Sequence, residues 1–256
     1  MKQLIQNMRS GVIQVKDVPV PHPGKGFALV KTTFSLVSAG TERTTSEFAE
    51  KSLAGKAISR PDLVKQVIEK TKREGLLPTA QAALNRLDQP MFPGYSSAGV
   101  IAAVGSEMKG FSVGDRVACG GGSFAVHADY ALVPRNLLVK LPDSVSEEDG
   151  AFTTLGAVAM HGFRLTEARL DETVLVIGLG LLGLLAVQIA KAAGCVTLGV
   201  DLSESRAALA REFGVSACTN DEVHVKAAEL VGSRGFDHVL ICAGAKGNEL
   251  IELAGE

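Results

Sequence analysis

The segment from Thr173 to Asp201 limits the possible folds of this chain more than any other. It opens with a β-branched apolar run, turns through Gly178, Gly180 and Gly183, continues with a helical apolar pattern, and ends in a second apolar strand. A glycine-rich turn between a strand and a helix, followed by a strand that ends in an acid, is typical of a βαβ unit in a doubly wound sheet. The pattern therefore predicts a parallel α/β domain.

Each glycine in this turn has its own physical role. Gly178 permits the tight turn, Gly180 lets the backbone approach a pyrophosphate, and Gly183 lets the helix pack close to the strand. The helix N-terminus presents N–H groups and a positive dipole end to phosphates, and Asp201 is placed to accept hydrogen bonds from a ribose. We therefore expect a bound dinucleotide. A doubly wound domain that binds another phosphate ligand is the alternative.

A membrane span is a second alternative for the same segment. Residues 173–190 form an uncharged run that is close to the length needed to cross a bilayer. The glycines that interrupt the run, the preceding acids Asp171 and Glu172, and the strand-like segment that follows all favour a soluble domain. We therefore expect no association with a membrane.

Composition places the chain among soluble enzymes. Its 256 residues suffice for two medium domains, and a formal net charge of −2 predicts no basic field that would bind nucleic acid. The N-terminal residues lack the apolar core of a signal peptide. The four cysteines are widely spaced without a CxxC pair, which favours a reducing cytoplasm.

Two regions of different pattern divide the chain near residue 148. Residues 1–148 hold short β-type runs separated by turn residues, which predicts a β-barrel or sandwich-like domain. Strands 99–104 and 115–119 are expected to pair across a glycine-bounded loop. Residues 149–256 alternate strand-like and helix-like segments, which predicts a parallel sheet. That sheet has four predicted strands, over residues 173–178, 196–201, 216–219 and 237–242.

Helices are predicted in both regions. An insertion at about residues 45–90 is more helical than its surroundings, with one helix that begins near Pro61 and stops at Gly75. A second short helix is expected over residues 79–87. The later helices are predicted over residues 151–169, 181–193, 203–213 and 221–232, and from Asn248.

Several motifs then occur in a fixed order, and together they resemble one family. They are PGYSSAGVIAAVGSEMKGFSVGDRV, HADYALVP, AFTTLGAVAMHG and VLVIGLGLLGLLAVQIAKAAG. The chain resembles the medium-chain dehydrogenase/reductase superfamily, which includes the zinc alcohol and polyol dehydrogenases. The resemblance implies a GroES-like substrate domain followed by a Rossmann domain, with a cleft between them for hydride transfer between a nicotinamide cofactor and an alcohol or carbonyl substrate.

A narrower resemblance comes from the long insertion and the segment SAGTER at residues 38–43. Both are similar to a subgroup that is fused to a second oxidoreductase domain and associated with bacterial cell-surface sugar pathways. This resemblance implies a sugar-related substrate and a covalent continuation into a second domain. A homo-oligomer is the alternative.

The zinc ligands of the family have no counterparts here. Ala39 stands where the resemblance places a cysteine, Tyr95 where it places a histidine, and Thr154 near the third ligand. A catalytic zinc needs three protein N, S or carboxylate ligands, so we expect no metal. Cys119 and His127 are two potential ligands, which is too few for a site, and a structural role is favoured for both. A zinc-dependent dehydrogenase is the alternative function.

Without zinc, hydroxyl groups become the catalytic candidates. Thr41 matches the family position whose hydroxyl relays a proton, and Tyr95 is able to donate a hydrogen bond to a substrate oxygen. The alternatives are that Thr41 caps a turn and that Tyr95 packs in the barrel. His161 is flanked by apolar residues and is expected to be a hydrogen-bonded packing histidine.

Cofactor choice follows from charge. The carboxylate of Asp201 suits the two ribose hydroxyls of NAD and would repel the 2′-phosphate of NADP, although Arg206 partly offsets this preference. We therefore expect an NAD-dependent oxidoreductase. The candidate cofactor contacts are Gly178, Gly180, Leu181, Leu182, Gly183, Asp201, Arg206 and Thr154.

The sequence ends at Glu256, soon after the fourth predicted strand. A full Rossmann domain has six, so a fragment of a longer polypeptide or a natural truncation is expected. An uncovered strand at 237–242 predicts self-association and poor catalysis. A non-catalytic nucleotide-binding module is therefore a further alternative.

Overall fold

The chain forms two compact units in a computed structural model, residues 1–154 and 155–256. The structure describes residues 1–59, 61–75, 78, 79, 81, 85, 88–245 and 247–255. Within these residues, no helix has the length and apolar character needed to cross a membrane.

The N-terminal unit is built from antiparallel sheets. Its described residues form a five-stranded sheet in the order β7-β3-β5-β6-β8 and a three-stranded sheet in the order β2-β1-β4. The strands are β1 Lys2–Asn7, β2 Ile13–Asp17, β3 Phe27–Ser35, β4 Pro90–Met91, β5 Ser96–Val104, β6 Arg116–Gly120, β7 Tyr130–Pro134 and β8 Leu138–Lys140.

The hairpin of β5 and β6 is the one predicted from the glycine-bounded loop. The strands pair antiparallel, with Val100 opposite Arg116. Gly99 allows the neighbouring β3 to approach, since a Cβ at this position would lie 2.1 Å from the Lys31 carbonyl oxygen. Ala28 and Val30, two residues apart on β3, are buried in one apolar cluster, which follows from the two-residue period of a strand.

The helical insertion follows β3. Its helices are α1 Ala39–Glu50, α2 Leu53–Ser59 and α3 Pro61–Glu74. The predicted helix from Pro61 is confirmed, and it ends where Gly75 adopts a φ of +92°, which glycine reaches without strain. The second helix predicted over residues 79–87 falls mainly outside the described residues.

The C-terminal unit is a parallel sheet with helices on both faces. The described strands have the order β11-β10-β9-β12, and all pairings are parallel. The strands are β9 Thr173–Ile177, β10 Val196–Asp201, β11 Ser216–Thr219 and β12 His238–Ile241. The helices from residue 147 onward are α4 Glu147–Gly150, α5 Thr153–Thr166, α6 Leu181–Ala192, α7 Glu204–Glu212, α8 Val223–Val231 and α9 Glu249–Gly255.

Strand β9 lies inside the sheet and is almost wholly apolar. All five of its residues are buried. Val174 and Val176 pack in one cluster with α6 and α7, whereas Leu175 and Ile177 pack in another with α8 and α9. A strand covered on both faces needs a continuous apolar run. His161 corrects one expectation, since it lies exposed on α5 rather than packed in the core.

Candidate nucleotide site and N-terminal cleft

The glycine turn after β9 is shaped by two close approaches. Gly178 has a φ of +95°, and a Cβ there would lie 2.6 Å from the Cβ of Ala243. A Cβ on Gly183 would lie 1.8 Å from the Gly178 carbonyl oxygen. Neither position has room for a side chain. Gly180 differs, because its Cβ would meet no atom within 4 Å. The turn therefore leaves open space at its middle glycine.

Helix α6 begins beside this space. Gly180 is its N-cap residue and provides no side chain to cap the helix. The first intrahelical bond runs from the Leu184 N–H to the Gly180 carbonyl, at 2.9 Å, so the N–H groups of Leu181, Leu182 and Gly183 precede it. These donors and the positive end of the helix dipole suit an anionic ligand.

Asp201 joins the glycine turn to the end of β10. Its side chain is 7% exposed. Its Oδ2 accepts the Leu179 N–H at 2.7 Å and its Oδ1 accepts the Ser203 N–H at 2.9 Å. A carboxylate oxygen accepts two hydrogen bonds, so Oδ1 keeps capacity for a ligand hydroxyl. Arg206 extends across the solvent side, with Nη1 3.4 Å from Oδ2 and a side chain that is 58% exposed.

A cleft of about 230 Å³ lies in the N-terminal unit. One wall is a face of α1, and the others come from the β1–β2 hairpin, β4 with the residues that follow it, and the loop after β6. Its lining includes both catalytic candidates, Thr41 and Tyr95. The cleft is lined by Leu4, Gln6, Ile13, Thr41, Glu42, Thr45, Ser46, Met91, Phe92, Pro93, Gly94, Tyr95, Gly122 and Ser123.

The Thr41 hydroxyl is oriented by its neighbour. Ser38 Oγ donates to Thr41 Oγ1 at 3.3 Å, which leaves the proton of Thr41 for another acceptor. Tyr95 is half-buried and follows Gly94, whose φ is +97° and whose Cβ would lie 2.8 Å from the His127 backbone nitrogen. The chain therefore places two hydroxyl-bearing residues on one cleft.

A hydrogen-bond chain that the sequence analysis did not find lies behind the cleft. His127 Nδ1 is 2.9 Å from Ser35 Oγ, and His127 Nε2 is 3.2 Å from Glu42 Oε1. The Glu42 Oε1 also accepts the Ser38 N–H at 3.1 Å. His127 is 11% exposed and Glu42 22%. No sequence spacing signals this cluster, because its members lie on three separate segments.

The remaining zinc-related positions have other contacts. Burial raises the pKa of the Cys119 thiol to about 12, which makes the thiolate form unfavourable. The hydroxyl of Thr154 donates to the Cys119 carbonyl at 3.4 Å, so it contacts the end of β6. Within the described part of the chain, no group of three or more His, Cys, Asp or Glu side chains is arranged to hold a metal ion.

Comparisons with known proteins match both units. The family model described as the alcohol dehydrogenase GroES-like domain matches residues 64–143. The family model described as zinc-binding dehydrogenase matches residues 182–251. The expected GroES-like and Rossmann folds are therefore confirmed.

Two curated relatives show the extent of the match. The D-xylulose reductase of Saccharomyces cerevisiae is 30% identical over 62% of this chain and 55% of its own length. A zinc-type alcohol dehydrogenase-like protein of Escherichia coli is 32% identical over 68% of this chain and 59% of its own length. The chain thus spans less than two thirds of the length of either relative.

A solved structure agrees with these matches. A quinone oxidoreductase of Pseudomonas syringae superposes with a TM-score of 0.66 and is 26% identical, with 91% of this chain and 64% of that chain covered. The family models, the relatives and the fold agree on one assignment. The chain belongs to the medium-chain dehydrogenase/reductase superfamily.

Proposed function

We propose that this chain is an NAD-binding part of an oxidoreductase that transfers hydride between a nicotinamide cofactor and an alcohol or carbonyl substrate. The observation that carries the proposal is the open space at Gly180, next to the free N–H groups of α6. Pyrophosphate fits such a turn, because backbone donors approach it without a side chain between them.

The residues of the site divide into binding and proton-handling groups. The N–H groups of Leu181, Leu182 and Gly183 would bind the pyrophosphate, and Asp201 Oδ1 would accept a ribose hydroxyl. When bound, the nicotinamide supplies or accepts the hydride. Thr41 and Tyr95 would donate hydrogen bonds to the substrate oxygen and hold its proton. Thr154 is also proposed as a cofactor contact.

Asp201 supports a preference for NAD over NADP. Its carboxylate is almost buried and held by two backbone N–H groups, so it cannot turn away from a 2′-phosphate. The carboxylate of Asp201 and a 2′-phosphate at hydrogen-bond distance would repel each other, because both are negatively charged. Arg206 lies 3.4 Å from the same carboxylate and reduces this penalty without removing it.

Calorimetric titration with NADH tests the nucleotide site. Gly180→Ala should weaken NADH at least about tenfold, because the new methyl group occupies the space for the pyrophosphate. Its melting temperature should match that of the wild type, since no protein atom lies within 4 Å of the added Cβ. Gly162→Ala, on α5, also has open space and should leave binding unchanged. Equal NADH affinity in Gly180→Ala and the wild type would contradict the proposed site.

We further propose that the reaction does not use zinc. The support is the residue set Ala39, Tyr95 and Thr154 at the family's ligand positions, of which Ala39 has no donor atom. The zinc-type relative of Escherichia coli favours the second candidate, a zinc-dependent dehydrogenase. Elemental analysis of protein purified without chelator decides between them, since one zinc per chain would establish the second.

The substrate is proposed to be sugar-related. The D-xylulose reductase relative supports a polyol or keto-sugar, whereas the quinone oxidoreductase structure supports a quinone. Oxidation of NADH followed by absorbance, with D-xylulose and with a benzoquinone as alternative acceptors, separates the two. Turnover with the quinone alone would contradict a sugar-related substrate.

A further inference from the structure

The N-terminal cleft has an unusual distribution of charge. Among its described lining residues Glu42 is the only charged one. The α1 wall adds the side chains of Thr41, Thr45 and Ser46, and the opposite walls are largely apolar, as at Ile13 and Phe92. A ligand in this cleft therefore meets hydroxyl groups and one carboxylate, without a lysine or arginine to receive a negative group.

The carboxylate of Glu42 is held in place by two donors, the Ser38 N–H and the His127 ring. The Ser38 N–H donates to Oε1 at 3.1 Å. The His127 Nε2–H is shared between Oε1 at 3.2 Å and Oε2 at 3.3 Å. The Ser35 hydroxyl lies 2.9 Å from His127 Nδ1 and contacts the other side of the ring. A carboxylate oxygen accepts two hydrogen bonds, so Oε2, which has one contact with His127, keeps acceptor capacity.

We propose that Glu42 determines the charge of the substrate: it accepts a hydroxyl group of an uncharged polyol and excludes analogues that carry a carboxylate or phosphate. The inference rests on the proposed function, because it takes the cleft as the substrate site. A hydroxyl group of the substrate donates a hydrogen bond to the Glu42 carboxylate. A carboxylate or phosphate of similar shape is repelled and donates no hydrogen bond to Glu42.

His127 acts through Glu42 and is a positioning residue. Its backbone is fixed on both sides, since its N–H donates to the Pro93 carbonyl and its carbonyl accepts the Leu4 N–H, each at 2.9 Å. The ring is therefore presented to Glu42 by the surrounding strands. Loss of the ring should leave the negative charge on the Glu42 carboxylate, but the carboxylate should no longer be held in its present orientation.

The test uses two probes that differ in one group. Xylitol and D-xylonate have the same chain of hydroxyl groups, but D-xylonate carries a terminal carboxylate. Binding of each to the full chain is measured by ligand-observed NMR titration, which needs no cofactor or turnover. The wild type should bind xylitol at least about tenfold more tightly than D-xylonate, as expected for a like-charge contact in a partly buried site.

Two variants and a control separate charge from position. Glu42→Gln should abolish the discrimination, because xylitol should bind more weakly and D-xylonate more tightly than to the wild type. His127→Gln should weaken xylitol while D-xylonate stays excluded, a split that general loss of structure would not give. Glu47→Gln changes another carboxylate of α1 that is outside the cleft lining and should leave both affinities unchanged.

Three results would overturn the inference: equal binding of both probes by the wild type, binding of neither, or unchanged discrimination in Glu42→Gln. These results are distinct from failure of the proposed function, which is judged by NADH titration. Normal NADH binding together with unselective binding of the two probes would reject the role of Glu42 alone.

Discussion

The imidazole of His127 and the carboxylate of Glu42 meet at 3.2 Å although 85 positions separate them in the chain. Helix α1 supplies Glu42, and the loop before β7 supplies His127. The contact places an oriented carboxylate on the N-terminal cleft. It also joins two parts of the N-terminal unit, so it contributes to stability as well as to the site.

Replacement of His127 by alanine should destabilise the protein. The change removes a partner of Glu42 and of Ser35, and leaves a partly buried carboxylate with one fewer donor. We expect the free energy of unfolding to fall by about 1–3 kcal/mol, measured by urea denaturation. His22→Ala alters an exposed histidine and should change stability by less than about 0.5 kcal/mol. An equal loss in both variants would argue against a role for the contact.

Replacement of Lys56 by methionine should loosen the α1 wall of the cleft. The Lys56 amine is buried and donates to the carbonyls of Ala49, at 2.7 Å, and Arg9, at 3.1 Å. It thereby joins the C-terminal end of α1 to the β1–β2 turn, although burial lowers the pKa of this amine. Lys56→Met leaves both carbonyls without this donor.

The expected loss for Lys56→Met is about 1–3 kcal/mol in the free energy of unfolding. Lys65→Met, at an exposed position of α3, is the matched control and should stay within about 0.5 kcal/mol of the wild type. Hydrogen exchange followed by mass spectrometry should show faster exchange in α1 for Lys56→Met. Unchanged exchange there would contradict the proposed link.

Arg206→Ala should sharpen the preference for NADH. The guanidinium lies 3.4 Å from Asp201 Oδ2 and is the group that would meet a 2′-phosphate. Its loss should weaken NADPH binding about tenfold, the scale of one charge-assisted hydrogen bond. The affinity for NADH should change little. Titration of both cofactors into the wild type and the variant gives the ratio of NADH affinity to NADPH affinity for each. A larger loss of NADH than of NADPH would show that Arg206 serves NAD binding instead.

Asp237→Asn should reduce stability at neutral pH and not in acid. The pKa of Asp237 lies below its ordinary value of 3.8, because its carboxylate accepts hydrogen bonds from the Thr173 N–H and hydroxyl. A carboxyl whose folded pKa is depressed stabilises the protein above its unfolded pKa, and this contribution disappears as pH falls through the folded value.

Urea unfolding of wild type and Asp237→Asn over a pH series from about 7 to 2 checks this. The difference between them should be present at pH 7 and shrink below about pH 4. Glu212→Gln, an exposed carboxylate of the same unit, should show a smaller and flatter difference. A difference for Asp237→Asn that grows in acid would have the wrong sign.

The C-terminal unit was largely predictable because its signals are local. The strand predicted at 196–201 is observed with the same bounds, and the helix predicted at 181–193 runs from Leu181 to Ala192. Burial on both faces of the sheet demands continuous apolar runs, and the glycine turn separates strand from helix. The predicted bounds of 203–213 and 221–232 were each wrong by one or two residues, because short 3-10 turns and caps adjoin those helices.

The sites were predictable in part. Gly178 turns with a φ of +95° and Gly183 packs closely against the turn, as their pattern predicts. Asp201 holds the glycine turn through the Leu179 N–H, a structural task that its position in the pattern does not reveal. His161 was wrongly expected to pack, because it lies on the exposed side of α5, although Ala159, two residues before it, is buried. A residue's neighbours in sequence are not its neighbours around a helix.

The sequence by itself determined the order of strands and helices and the shape of the glycine turn, because periodic burial and glycine conformations are properties of short segments. Only the tertiary structure decided that Ser35, Glu42 and His127 form one hydrogen-bond chain. Their contact depends on where the end of β3, the first turn of α1 and the loop before β7 come to lie, and the hydrogen bonds of His127 to Pro93 and Leu4 set that arrangement. Such contacts join distant segments, so no local pattern encodes them.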